Sequence, residues 1–300
     1  MAATYPLILG ASGLAGTEVV KLLSRAKVNV RVSYREQSDL NILRNFGVEP
    51  IYADFTDRES LQSAMKDVSA VALILPVNEH MTEWGKNVVD CAKAAGVQKL
   101  VFLTNLCADP ESSCNIPRMH GEVDAYIRAS GIPYHIIHSA PHFQNIFWSV
   151  ITIVRHRQFG LPLDAAEIPY IDLFDCSVFI AKILCEEHAP NNDYTITGPQ
   201  AYSMFRIARR LSQSLGHDVR YTPIPLENGE STFRSMGMTS WLAHNIADVY
   251  VEYAGGKYNK VTKDFEIIAG RPPTGLDKFI ERNLAVFRQD SLPDRLTHEG

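Results

Sequence analysis

The sequence predicts an α/β fold: a doubly wound parallel sheet followed by a smaller C-terminal α+β lobe. Three observations carry this expectation. A short apolar run, Leu7 to Leu9, enters three glycines (Gly10, Gly13 and Gly16), and an apolar helical pattern leaves them. Strand-like and helix-like segments then alternate down to His138, and such alternation specifies parallel strands with helices on both faces. The length of 300 residues fits one large α/β unit with an appended lobe. The division expected is a nucleotide-binding domain over 1–155 and a substrate lobe over 156–300, partly interleaved with the sheet.

The glycine stretch needs the most explanation. Gly10 lets the chain turn sharply off the first strand. Gly13 lets backbone N–H groups approach a pyrophosphate with no Cβ in the way. Gly16 lets the helix pack close to the sheet, its N-terminus facing the negative charge. The G-x-x-G-x-x-G spacing is a variant of the Rossmann dinucleotide fingerprint. Glycines alone also make plain turns. Here a strand precedes them and a helix over 17–25 follows, with Val19, Val20, Leu22 and Leu23 at helical spacing.

Val28 to Arg35 alternates like a second strand. Its end is where such a domain reads the adenosine ribose: an acid there binds the 2′-hydroxyl, an arginine accepts a 2′-phosphate. Arg35 lies 19 residues beyond Gly16, which predicts NADP(H) in preference to NAD(H); an ordinary surface arginine is the alternative. A helix is expected over 37–47, burying Leu40, Ile42, Leu43 and Phe46. A third strand over 50–55 brings Asp54 to the carboxyl end of the sheet, as a ligand-facing residue, a helix cap or a turn residue. Val71 to Leu75 reads as a buried strand stopped by Pro76. A helix over 81–95 ends at Gly96, and a fifth strand spans 100–105. A helix over 117–130 then turns through Gly131-Ile132-Pro133 into a sixth strand at Tyr134 to His138, with a loop over 139–145 at the sheet's carboxyl edge.

Composition narrows the classes. A net charge of −5 offers no basic footprint for nucleic acid. No apolar run approaches membrane-spanning length, and the N-terminus lacks a signal-peptide pattern. The five cysteines are odd in number and widely spaced, without C-x-x-C, which suits a reduced cytoplasmic protein. No metal site is expected. His135, His138 and His142 form H-x-x-H-x-x-x-H, but the first two would point to opposite faces of a strand. No G-x-S-x-G elbow supports a serine hydrolase.

Several segments, in order, resemble the NmrA-like family, an atypical group of short-chain dehydrogenase/reductases. They are Gly10-Ala11-Ser12-Gly13-Leu14-Ala15-Gly16, the Arg35 strand end and Val97 to Leu103. The most specific is Gly121 to Tyr134 followed by Phe143-Gln144-Asn145. Later come Pro169 to Asp175, Tyr194 to Pro199 and Gly270-Arg271-Pro272-Pro273-Thr274. The resemblance covers nearly the whole chain. It implies a Rossmann domain and a smaller lobe with a substrate cleft between them, and binding of NAD(P)(H). Some members reduce quinones, imines or other conjugated molecules, and others sense the dinucleotide and act through protein partners. Carried over by residue, it places Gly10, Ser12, Gly13, Leu14, Ala15 and Gly16 on the phosphates and Arg35 on the 2′-phosphate. Asp54 and Phe55 would lie by the adenine. Leu75, Pro76 and Val77 would follow the fourth strand, Thr104 and Asn105 would end the fifth, and Phe143 and Asn145 would lie by the nicotinamide. The chain departs from the pattern twice. His120 stands where many relatives carry a lysine four residues before an acid, here Asp124. His138-Ser139 stands where many carry Arg-Pro. Both replacements titrate near neutrality.

The chemistry is less determined. Among the 12 tyrosines only Tyr253 has a lysine at +4, Lys257, and Ala254-Gly255-Gly256 intervenes, so the usual short-chain Tyr/Lys acid is absent. His120 and His138 are the catalytic candidates, His120 as proton donor or, equally, as a hydrogen-bonding partner of the cofactor ribose. Asp175 is expected to cap a helix over 176–184, near Asp172. His142, Phe147, Trp148, Met236 and Trp241 are the expected substrate-facing set, with core packing as the alternative for the aromatics. A helix over 203–215 would leave Arg206, Arg209 and Arg210 solvated, and the tail from Asp290 to Gly300 has little to bury. The expected activity is an NADPH-dependent reductase of a bulky conjugated small molecule such as a quinone, enone or imine. The alternatives are a dinucleotide sensor acting through a protein partner, and non-redox acid–base isomerisation or cyclisation in the same cleft.

Overall fold

A computed structural model describes residues 5–188 and 190–288; the tail from Asp290 lies outside them. The strands are β1 (Tyr5–Leu9), β2 (Arg31–Tyr34), β3 (Glu49–Tyr52), β4 (Val68–Leu73), β5 (Lys99–Asn105), β6 (Tyr134–Ser139), β7 (Gln158–Phe159), β8 (Asn192–Ile196) and β9 (Arg220–Tyr221). Seven form one parallel sheet in the order β3-β2-β1-β4-β5-β6-β8. The order reverses between β1 and β4, which opens a crevice at their carboxyl ends. β7 and β9 pair in parallel as a separate two-stranded sheet.

The helices are α1 (Leu14–Arg25), α2 (Gln37–Leu43), α3 (Arg58–Ala64), α4 (Met81–Ala94), α5 (Asn115–Ser130), α6 (Val150–His156), α7 (Leu173–Cys185), α8 (Met204–Leu215), α9 (Gly229–Ser235), α10 (Ser240–Ala254), α11 (Asp264–Ala269), α12 (Leu276–Arg282) and α13 (Leu284–Phe287). Alternate strand residues bury opposite faces of the sheet. Leu7, Leu73, Phe102 and Ile136 meet Val88, Val123 and Ile127 of α4 and α5. Ile8, Val32, Val101 and Ile137 meet Val19 and Val20 of α1 and Phe179 and Ile183 of α7. A third core, with Phe143, Phe233, Tyr250 and Phe279, fills the lobe. Among the described residues, no helix is long and apolar enough to cross a membrane.

Local departures from the sequence reading have physical causes. α1 starts at Leu14, so Gly16 lies inside its first turn. β4 ends at Leu73, three residues before Pro76, although Ile74 N still donates to Leu9 O. The family-like 169–175 segment joins the sheet edge through a single bridge, His142 to Ile171, before α7 begins. Arg206 is not fully solvated: its guanidinium lies 5.0 Å over the Tyr202 ring.

Asp175 does not cap α7. The extended backbone falls at Asp172 (φ −72°, ψ 131°), whose side chain accepts from Phe174 N. Asp175 therefore sits in the first turn and faces inward. It accepts from Arg271 Nη2 at 2.6 Å and from Thr274 N. Asp172 also pairs with Arg282 of α12 and accepts from Gln144 Nε2 at 2.9 Å. The first turn of α7 is thus pinned by two C-terminal arginines, and one turn on, Ser177 Oγ donates to Ala15 O of α1 at 3.3 Å. Removing a buried charge partner leaves its mates unpaired. Asp175→Ala is therefore expected to cost about 2–4 kcal/mol in urea unfolding, and a loss below about 0.5 kcal/mol would contradict the anchoring role.

Candidate active site

The glycine loop is set by close backbone contacts. Gly10 has φ +81°, and a Cβ there would lie 2.0 Å from Ile74 O. A Cβ on residue 16 would lie 2.1 Å from Gly10 O. Both positions are glycine because of packing within the chain. Gly13 differs: its φ is −67°, it is exposed, and the nearest atom to a Cβ is Gly10 O at 3.5 Å. The folded chain does not require glycine at 13, whereas a ligand lying against the loop would. α1 begins without a side-chain cap and without an acidic residue in its first turn, so its first N–H groups remain open to an anion. Ser12 is half-buried, Ala15 is buried, and Leu14 stands 67% exposed at the helix start. Buried Ser33 accepts from Gly10 N at 3.1 Å. Sequence reading missed Ser33; its signal was a hydroxyl where a buried strand predicts an apolar side chain.

Arg35 is exposed at the end of β2 and pairs with Glu36 at 3.2 Å. The N–H groups of Arg35 and Glu36 both donate to Asp39 Oδ2 at the start of α2. An exposed pair of this kind is weak, so the guanidinium can turn to a ligand phosphate. Asp54 is a turn residue: its Oδ1 accepts from Thr56 N and Oγ1, while Asp57 caps α3. The Phe55 ring stacks on Trp84 of α4 at 5.7 Å. Leu75 is buried in the sheet core, Pro76 is half-buried, and half-buried Val77 packs against the lobe core.

The ends of β5 and β6 hold the polar groups. Buried Thr104 Oγ1 is hydrogen-bonded to His120 Nδ1 at 3.1 Å. Burial, reinforced by nearby His138, pushes the His120 pKa down to about 4. His120 is therefore neutral at neutral pH, which favours its hydrogen-bonding reading over proton donation. Asn105 Oδ1 is buried and has no hydrogen-bond partner among the described residues. His138, with a side chain 17% exposed, places Nε2 3.5 Å from Asp124 Oδ2. His135 faces the opposite side of the sheet and stacks on Tyr194 at 6.0 Å. His142 Nε2 is 3.3 Å from Ser139 Oγ, and burial lowers its pKa to about 4. Its ring is thus engaged with the β6 end.

One expectation at the nicotinamide end is corrected. The Phe143 ring is 3% exposed and stacks on Phe279 at 5.1 Å and Tyr170 at 6.0 Å. It belongs to the lobe core, because the 3-10 turn at Phe143–Ser149 aims it inward. Asn145 lines a small void within the lobe beside Phe143, Tyr170 and Phe279. The remaining aromatics stay at the lobe's edge. Half-buried Phe147 packs on Phe279 and Phe287, and Trp148 on Phe233. Half-buried Met236 packs on the lobe core, and Trp241 touches both that core and the sheet core. Tyr253 is buried with its hydroxyl 3.8 Å from Cys107 Sγ, while Lys257 lies over the Tyr258 ring; the two form no acid pair.

The fold defines a Rossmann-type protein with an appended lobe. The open helix N-terminus, the space at Gly13 and the orphaned acceptor of Asn105 together fit a dinucleotide. The model of the NmrA-like family matches residues 6–271, and the chain belongs to that family. It is 28% identical over 285 residues to an NAD(P)H azoreductase of Xenophilus azovorans, covering 94% of this chain and 98% of that protein. Its fold matches an NADPH-dependent quinone oxidoreductase of Escherichia coli solved with NADPH (TM-score 0.85, 23% identity, 93% of this chain and 99% of that one). It also matches a triphenylmethane reductase of a Citrobacter species solved with NADP(H) (TM-score 0.83, 22% identity, 92% and 99%).

Two outcomes follow from this geometry. Gly13→Ala is expected to fold with stability within about 1 kcal/mol of wild type yet bind dinucleotide more weakly, whereas Gly16→Ala costs about 3 kcal/mol or more through backbone overlap. Calorimetric binding and urea unfolding of both variants test this; equal stability losses would refute the distinction. The second concerns pH. Burial holds His120, His135 and His142 at about 4, below the roughly 6.5 of an unfolded chain. Between these values the unfolded state binds more protons, so stability is lost as pH falls from about 6.5 toward 4. Each histidine contributes up to about 1.4 kcal/mol per pH unit. Asp124, whose carboxyl burial raises, opposes them with one proton. Urea midpoints that stay flat across this window would overturn the assignment.

Proposed function

We propose that the protein is an NADPH-dependent reductase of a bulky, conjugated, mostly apolar acceptor such as a quinone, an azo compound or a cationic dye. The observation that carries this reading is the glycine loop. Its helix N-terminus is open, its middle glycine is unexplained by packing, and Arg35 stands free to turn at the neighbouring strand end. The names of the azoreductase, quinone oxidoreductase and triphenylmethane reductase relatives support it. When bound, the reduced nicotinamide supplies a hydride. The chain supplies the rest. The N–H groups at the start of α1 hold the pyrophosphate, and Arg35 takes the 2′-phosphate. Asn105 Oδ1 gives the cofactor an acceptor, and neutral His120, fixed by Thr104, gives it a hydrogen bond. Phe147, Trp148, Met236 and Trp241 offer an apolar wall to the acceptor.

Pure protein with NADPH and a panel of quinones, azo compounds and cationic dyes should consume NADPH; tight binding with no turnover across the panel would favour a dinucleotide sensor. Arg35→Ala is expected to weaken NADPH binding about 10- to 100-fold, the loss of one charge-assisted phosphate contact. NADH binding should change little, and equal losses for both would refute the 2′-phosphate role.

A further inference from the structure

The side of the sheet that packs against α5 carries a cluster that cofactor binding does not account for. Asp124 lies one helical turn beyond His120, with its side chain 9% exposed. Its Oδ2 is 3.5 Å from His138 Nε2 and its Oδ1 is 3.2 Å from Arg128. Arg128 is already committed: it forks onto Asp193 of β8 with two contacts of 2.7 Å. The cluster therefore holds two carboxylates and one guanidinium, and the group left to balance Asp124 is His138. His120, on the same face of α5, is held neutral by burial. His138 is the β5–β6 register partner of Thr104, whose hydroxyl holds His120, so the two imidazoles share the carboxyl end of adjacent strands. A carboxylate buried this far costs stability unless its charge is matched, and an apolar residue would pack there at no such cost.

We propose that Asp124 is a positioning residue for His138, and that His138 delivers the proton that accompanies the hydride. The proposal rests on the reductase reading above. The balance is simple for a quinone. The acceptor gains an electron pair and a hydrogen from the dinucleotide as hydride, and its carbonyl π pair moves onto oxygen. That oxygen forms an O–H bond as an N–H bond of the His138 cation breaks. His138 is left neutral and takes up a proton again from water, while the Asp124 carboxyl orients the ring. A cationic triarylmethane dye differs in one respect. Hydride alone converts it to a neutral product, so no proton is needed.

This difference supplies the test. Wild type, Asp124→Asn and His138→Gln are each given NADPH with menadione and, separately, with crystal violet. NADPH affinity and thermal midpoint are measured on all three. Both substitutions should slow menadione reduction about 100-fold or more, the scale of general acid help. Crystal violet reduction and NADPH affinity should stay within about twofold. Equal slowing with both acceptors or menadione rates near wild type would each overturn the proposal, and His138→Gln carries the acceptor comparison if Asp124→Asn fails to fold. A wild type inert toward both acceptors would instead bring down the reductase reading itself.

Discussion

The close crossing of Gly10 and Gly16 is the contact on which the rest of the molecule depends. The carbonyl of Gly10 fills the space that a side chain at residue 16 would need, and the carbonyl of Ile74 fills the space beside Gly10. Neither carbonyl can retreat, because each lies at the carboxyl end of a central strand. The loop is thereby pressed against the crevice between β1 and β4, and α1 starts there with its N–H groups uncapped. Backbone overlap near 2 Å cannot be relieved by a rotamer change, so this constraint is steric and absolute. Gly13 is free of it, which leaves its small size to be explained by what lies outside the chain.

The far end of the sequence holds this arrangement in place. Arg271 and Arg282 reach buried Asp175 and Asp172 in the first turn of α7, and Ser177 of α7 bonds to the backbone of α1. β8 closes the sheet beside β6, and α11 packs against the α1–α7 face through Phe265. The C-terminal half therefore contributes to the nucleotide-binding layers as well as to the lobe. Asn115 of α5 joins Asn245 of α10 at 2.8 Å, and Trp241 touches both cores, so the sheet layers and the lobe are coupled directly.

Burial sets the electrostatics. Three histidines are stripped of solvent and lose their charge at neutral pH, while His138 keeps a carboxylate neighbour. The chain has an imidazole–carboxylate pair, His138 with Asp124, between β6 and α5. A family resemblance cannot supply that arrangement; it arises from the packing of α5 on β6, which brings Asp124 to His138.

The sequence alone determined the α/β class, the parallel order implied by alternating elements, the glycine loop between β1 and α1, Arg35 at the second strand end and the absence of a Tyr/Lys acid. These are local: spacing, periodicity and neighbouring residue types carry them. Only the tertiary structure decided which aspartate caps α7, because one residue of backbone geometry moves the cap from Asp175 to Asp172. It also decided that the Phe143 ring fills the lobe core, that Asn105 leaves an acceptor unpaired, and that Ser33 holds Gly10. The meeting of Asp124 with His138 belongs to the same group. The two lie 14 residues apart in the chain, one on a helix and one on a strand. No periodicity within either element reports how the helix is rotated against the sheet; packing alone decides that.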